Sequence, residues 1–120
     1  MHRDIKPDNL VFCETNGSLI KLADFGLSSV CERGASIQGD CGSEFYVAPE
    51  MLLQKPYNHK IDMWSAGVTM FILLFNKMPF SADTIQKTFK QILEHNIPDP
   101  EDAIWDSVSL EAQDVLRKLL

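Results

Sequence analysis

His2-Arg3-Asp4-Ile5-Lys6-Pro7-Asp8-Asn9 is the stretch that decides how the rest of the chain is read. Pro7 and the density of polar side chains make it a loop. Leu10 to Cys13 and Leu19 to Ala23 follow as two short apolar runs rich in β-formers, separated by Glu14-Thr15-Asn16-Gly17-Ser18. The Asn-Gly pair is a strong hairpin signal. Such a hairpin carries the chain out from Asn9 and returns it at Asp24, bringing an amide and a carboxylate together. Oxygen ligands of that kind suit a hard cation. In the same loop Asp4 can accept a proton from a hydroxyl, and Lys6 can offset negative charge. A lone aspartate or lysine in a polar loop is usually solvated surface. The joint set points to chemistry instead.

Composition narrows the classes. The chain has 120 residues and 45% apolar content, enough for a modest core and too much for a disordered segment. A net charge of −6 without any basic stripe argues against nucleic-acid binding and would suit a basic peptide partner. The longest apolar run, Val68 to Phe75, falls far short of the ~20 residues that span a bilayer. His2, Arg3, Asp4 and Lys6 stand where a signal peptide would need apolar residues. Cys13, Cys31 and Cys41 form no metal-ligand spacing, and an odd number of thiols fits the reducing cytoplasm or nucleus.

Beyond the first hairpin, residues 24–48 show several glycines and no sustained period, which predicts a long loop, of a length that is usually functional or disordered. Pro49 suits a first helical turn, so Glu50 to Gln54 reads as a short helix. Lys60 to Phe75 reads as a helix apolar on nearly all sides, hence central and buried, ended by Asn76 and Pro79. Thr84 to His95 is amphipathic, with Ile85, Phe89, Ile92 and Leu93 at helical spacing. Asn96 to Asp106 reads as a connection. Ser109 is then an N-cap, and Ala112, Val115, Leu116 and Leu119 mark the apolar face of a last helix.

The opening loop resembles the catalytic loop of eukaryotic-type serine/threonine protein kinases. Asp24-Phe25-Gly26 and Ala48-Pro49-Glu50 resemble the same family's Mg²⁺-binding and substrate-loop motifs, in the family's order. The resemblance implies a mainly α fold with a small β-hairpin, the C-terminal lobe of the protein-kinase-like fold truncated at both ends. Residues 1–120 would then be a partial kinase domain: catalytic loop, Mg²⁺-binding loop, activation segment and following helices. The Gly-rich loop, strand lysine, helix glutamate and hinge of an N-terminal lobe are absent from the sequence, as is the arginine that Glu50 would pair with. The implied activity is transfer of the ATP γ-phosphate to serine or threonine hydroxyls of proteins. The 120 residues alone are expected to be inactive. A non-catalytic truncated lobe acting as an interaction module is the alternative.

Residue by residue, the resemblance makes Asp4 and Lys6 catalytic, and Asn9 and Asp24 the Mg²⁺ ligands. Lys6, Asn9, Asp24 and Val11 would bind ATP, with Val11 under the adenine. Gly42, Ser43 and Val47 belong to the substrate loop, where Ser43 is expected to bond both Asp4 and Lys6. Glu44 stands where the family usually has proline. His2 and Phe25 look like part of the family's hydrophobic column, and Asp62 like the aspartate that bonds the catalytic-loop backbone. Arg3 resembles an arginine that pairs with a loop phosphate. Gly39 occupies the usual phosphorylated position, so Asp40 is expected to give Arg3 a constitutive carboxylate. Asp62 to Val68, Pro79-Phe80, Trp105 and Ser109 to Asp114 resemble the calcium/calmodulin-dependent kinase group, which admits that type of regulation in the full-length protein.

Overall fold

The structure is a computed structural model that describes residues 1–14, 17, 19–95, 97 and 102–120. The element order is a hairpin of β1 (Leu10–Phe12) and β2 (Ile20–Leu22), then α1 (Pro49–Leu52), α2 (Lys60–Phe75), α3 (Ile85–Leu93), α4 (Asp102–Trp105) and α5 (Leu110–Leu119). Short 3₁₀ turns at Pro7–Asn9, Phe25–Leu27 and Glu44–Tyr46 punctuate the loops. The mainly helical fold with one small hairpin matches the sequence expectation. The tip, where Asn16 would sit, lies outside the described residues.

Strands β1 and β2 pair antiparallel, with Leu10 opposite Leu22 and Phe12 opposite Ile20. One further bond, from the Ala23 N–H to the Asn9 carbonyl at 2.8 Å, extends the ladder to the residues that flank the hairpin. This fixes Asp24 next to the end of the opening loop.

Helix α2 is the axis of the core. Ile61, Trp64 and Val68 are buried with Ala48, Met51, Tyr57, Phe80 and Ile92, and Trp64 stacks on Phe80 with ring centroids 5.5 Å apart. Further along, Phe71 and Phe75 meet Leu116 of α5, and Phe75 stacks on Trp105. Burying side chains of this size contributes about 1.5–3 kcal/mol each. Gly67 makes the second contact possible: a Cβ there would stand 2.8 Å from Leu119 Cβ. Asn76 ends α2 in the left-handed conformation with φ 51°, a role its short polar side chain tolerates.

Three expectations need correction. Helix α2 is not covered all round: Met63, Leu73 and Leu74 are exposed, because the described elements pack against one side of it, and Ile72 is half-buried. In α5 the buried positions are Gln113 and Leu116, while Val115 is exposed. Gln113 turns inward because its amide donates to the carbonyls of Trp105 and Val108 at 3.0 Å, capping the end of α4. Helix α4 itself lies inside the segment read as a connection, and one turn is too short to show a period. Ser109 is the N-cap of α5 as expected, accepting the Ala112 N–H at 3.3 Å.

Candidate active site

The opening loop is held from below by α2. Asp62, in its first turn, accepts the His2 N–H on one carboxylate oxygen and the Arg3 N–H on the other, both at 2.8 Å. A charge inside a mainly apolar helix is tolerated because both oxygens are satisfied. Arg3 has φ 71°, a sparsely populated conformation for a non-glycine residue. The Asp62 bonds hold it there, and such strain concentrates at functional sites. The His2 ring is edge-on to Phe25, with centroids 4.8 Å apart. Its Nε2 bonds the Ala23 carbonyl at 2.9 Å, and its Nδ1 accepts the Asp4 N–H at 3.3 Å. That arrangement requires the neutral ring with its proton on Nε2, so His2 serves as a spacer between the two loops and not as a base.

Above this floor, Asp4 is buried and fully partnered. Lys6 Nζ lies 2.8 Å from Asp4 Oδ2 and donates to Ser43 Oγ at 2.8 Å. Ser43 Oγ donates in turn to Asp4 Oδ1 at 2.8 Å. Asn9, also buried, donates its amide nitrogen to the Asp4 carbonyl at 2.8 Å and to Oδ2 at 3.2 Å. Burial alone would raise the Asp4 pKa, but the bonds from Lys6, Ser43 and Asn9 outweigh it and hold the carboxyl below its ordinary value. The bond to Asp4 raises the Lys6 pKa against the opposing effect of burial, and the charges of Asp8 and Asp24 add to it. The pair is a fixed ion pair.

Gly42 lets the loop that carries Ser43 come this close. With φ 96° it takes a backbone shape that suits glycine, and a Cβ there would lie 2.7 Å from the Arg3 carbonyl oxygen. Ser65, buried in α2, anchors the same loop by donating to the Tyr46 carbonyl at 2.8 Å.

Asn9 uses its amide nitrogen for both bonds, which leaves the amide oxygen for a cation. Asp24 is exposed, in the left-handed conformation with φ 59°, and its Oδ1 accepts the Gly26 N–H at 3.2 Å. The two residues supply oxygen donors at the ends of the hairpin, the donor chemistry Mg²⁺ prefers. Among the described residues no cluster of three or more His, Cys, Asp or Glu side chains forms a metal site. Val11 lies on β1 opposite Lys21 and is 46% exposed, so its side chain is accessible to a ligand.

Arg3 and Asp40 are not brought together. The Arg3 guanidinium donates to the Leu27 carbonyl at 2.6 Å through Nε and to the Tyr57 hydroxyl at 3.3 Å. Asp40 is exposed and lines a separate open cavity. The cause is Tyr57: buried, and tied to the loop by the Ile37 backbone bridge, it places its hydroxyl where a carboxylate was expected. Sequence reading missed Tyr57, since nothing local marks that tyrosine as an arginine partner. Ser65 was equally missed, although a serine in an apolar helix is a signal of the same kind that singles out Asp62.

The family described as Protein kinase domain matches residues 1–120. Myosin light chain kinase A of Dictyostelium discoideum is 43% identical over 121 residues, which cover all of this chain and 41% of the relative. Calcium-dependent protein kinase 33 of Arabidopsis thaliana is 45% identical, again over all of this chain and 23% of the relative. Serine/threonine-protein kinase PEPKR2 of Arabidopsis thaliana is 41% identical, over 25% of its own length. The chain thus spans less than half the length of these relatives.

Proposed function

The chain belongs to the protein kinase domain family, and on that premise we propose that it is the C-terminal-lobe part of a serine/threonine kinase acting on proteins. The observation that carries this reading is the Asp4–Ser43–Lys6 bridge, with each of its three contacts at 2.8 Å. Phosphoryl transfer needs little covalent help and depends on positioning and charge. An ionised Asp4 orients the incoming hydroxyl and receives its proton as the hydroxyl oxygen bonds to the γ-phosphorus and the bond to ADP breaks. Lys6 offsets charge on the transferred group. Ser43 ties both to the substrate loop, which also includes Gly42 and Val47.

Asn9 and Asp24 would hold Mg²⁺, which when bound offsets the charge of the ATP phosphates. Val11 is the proposed adenine contact. The names of the plant relatives favour calcium-linked regulation of the complete protein. No described helix is long and apolar enough to cross a membrane. The three free thiols favour the cytoplasm or nucleus.

The test is peptide phosphorylation by the complete protein with Mg·ATP, using serine, threonine and tyrosine acceptors. Transfer to serine or threonine and not to tyrosine is expected. Absence of transfer to any acceptor would leave the non-catalytic interaction module as the better reading.

A further inference from the structure

Beside the Asp4–Ser43–Lys6 cluster lies an open cavity of about 330 Å³ whose walls combine two chemistries. Asp40 and Glu44 contribute carboxylates, while Val47, Met51, Leu52 and Phe89 contribute apolar surface. The cavity shares Gly42, Val47 and Met51 with the cleft lined by Arg3, Asp4 and Ser43, so it adjoins the place where a hydroxyl would meet Asp4. Asp40 and Glu44 are exposed, and neither has an ion-pair partner among the described residues. Among the described residues no lysine, arginine or histidine lines the cavity.

A guest that satisfies both walls has a long apolar stem and a cationic head, as arginine and lysine do. A purely apolar side chain would partly dehydrate the two carboxylates without giving them a partner. An acidic one would meet like charge. We propose that this cavity receives an arginine or lysine side chain of the protein substrate, flanking the phosphorylated residue, and that Asp40 and Glu44 set the preference. The inference rests on the kinase reading and specifies its substrate class. The chain's net charge of −6 works in the same direction, drawing basic segments toward it.

The experiment is a positional scan with the complete protein and Mg·ATP. Serine peptides carry arginine, leucine or glutamate in turn at each position from three before to three after the acceptor. At one flanking position the wild-type kcat/KM for arginine should exceed that for leucine by roughly three- to tenfold, the range of partly screened ion pairs. The double variant Asp40→Asn, Glu44→Gln should bring that ratio below about two. Glu44→Lys should shift the preference at that position toward glutamate. Each ratio is taken on one enzyme preparation, so partial misfolding of a variant cancels. Phosphorylation with arginine-to-leucine ratios that the variants leave unaltered overturns this inference and spares the kinase reading. No phosphorylation of any peptide overturns both.

Discussion

Ser43 reaches across 39 positions of chain to donate its hydroxyl to Asp4 Oδ1 at 2.8 Å. That one bond joins the loop around Ser43 to the residue proposed to receive the substrate proton, and it is reinforced by Lys6 on the same oxygen of Ser43. On the proposed function, a single hydroxyl would set both the position of the substrate and the readiness of the base.

Ser43→Ala should accordingly lower kcat of the complete protein by about 10- to 100-fold, the effect of losing a hydrogen bond to a charged group. Ser43→Thr keeps the hydroxyl and should restore most of the activity. Steady-state kinetics on a serine peptide decides the matter. An alanine variant as active as the threonine variant would mean that the bridge has no part in turnover.

Asp4→Asn should nearly abolish transfer, by roughly 10²- to 10⁴-fold, while nucleotide affinity stays close to wild type. Asn9 and Asp24, not Asp4, are the proposed metal ligands. Asp24→Ala should instead weaken the Mg²⁺-dependent part of nucleotide binding. Nucleotide titrations with and without Mg²⁺, set beside turnover, separate the two. Equal loss of Mg·ATP affinity in both variants would undo the division of roles.

Asp62→Ala leaves the N–H groups of His2 and Arg3 without their acceptor, and each buried unsatisfied group costs about 1–3 kcal/mol. Asp62→Asn retains one acceptor oxygen and should cost less. Thermal denaturation of the complete protein is the measurement. The reverse order, with asparagine the worse of the two, would show that Asp62 does not act through those N–H groups.

Asp62 also shows what the sequence could reveal. A carboxylate early in an apolar helix has to find partners, so its structural duty was legible before its partners were. The same is true of the hairpin, whose two β-forming runs delimit it, and of α2, whose limits match the predicted Lys60 to Phe75. Ser43 was legible through family resemblance alone. What escaped depends on long-range contact. Which side of α2 is covered, and that Gln113 rather than Val115 turns inward, are set by neighbours distant in the chain. Arg3 finds Tyr57, 54 positions away, instead of the nearer Asp40. No local pattern encodes that choice.

Because Arg3 is already engaged by Leu27 and Tyr57, activity should not require a phosphate on the loop. Phosphatase treatment of the complete protein is expected to leave peptide phosphorylation within about twofold of the untreated value, less than the loss of one neutral hydrogen bond would produce. Tyr57→Phe removes the hydroxyl and should lower activity and loosen the loop, seen as faster amide hydrogen exchange near Cys41. A large loss on dephosphorylation, or a Tyr57→Phe variant with unchanged exchange, would refute this account.

The Asp4–Lys6 pair makes a signed prediction about pH. The Asp4 pKa is lowered in the folded protein, so the stability it contributes is fully present above the ordinary aspartate value near ~3.9 and lost as pH falls through the lower folded value. Lys6 is shifted the other way: its contribution is complete below its ordinary value near ~10.4 and lost as pH rises through the raised folded value. Between those limits neither group changes its charge. The stability difference between wild type and Asp4→Asn should therefore stay flat from about pH 5 to pH 9 and shrink only below about pH 4. It is measured as a difference in denaturation midpoint across that series in the complete protein. A wild-type advantage that instead grows as pH falls from about 7 to 5 would mean that burial dominates at Asp4 and raises its pKa. The carboxylate would then be partly protonated near neutrality, and an ionised Asp4 ready to take the substrate proton could not be maintained.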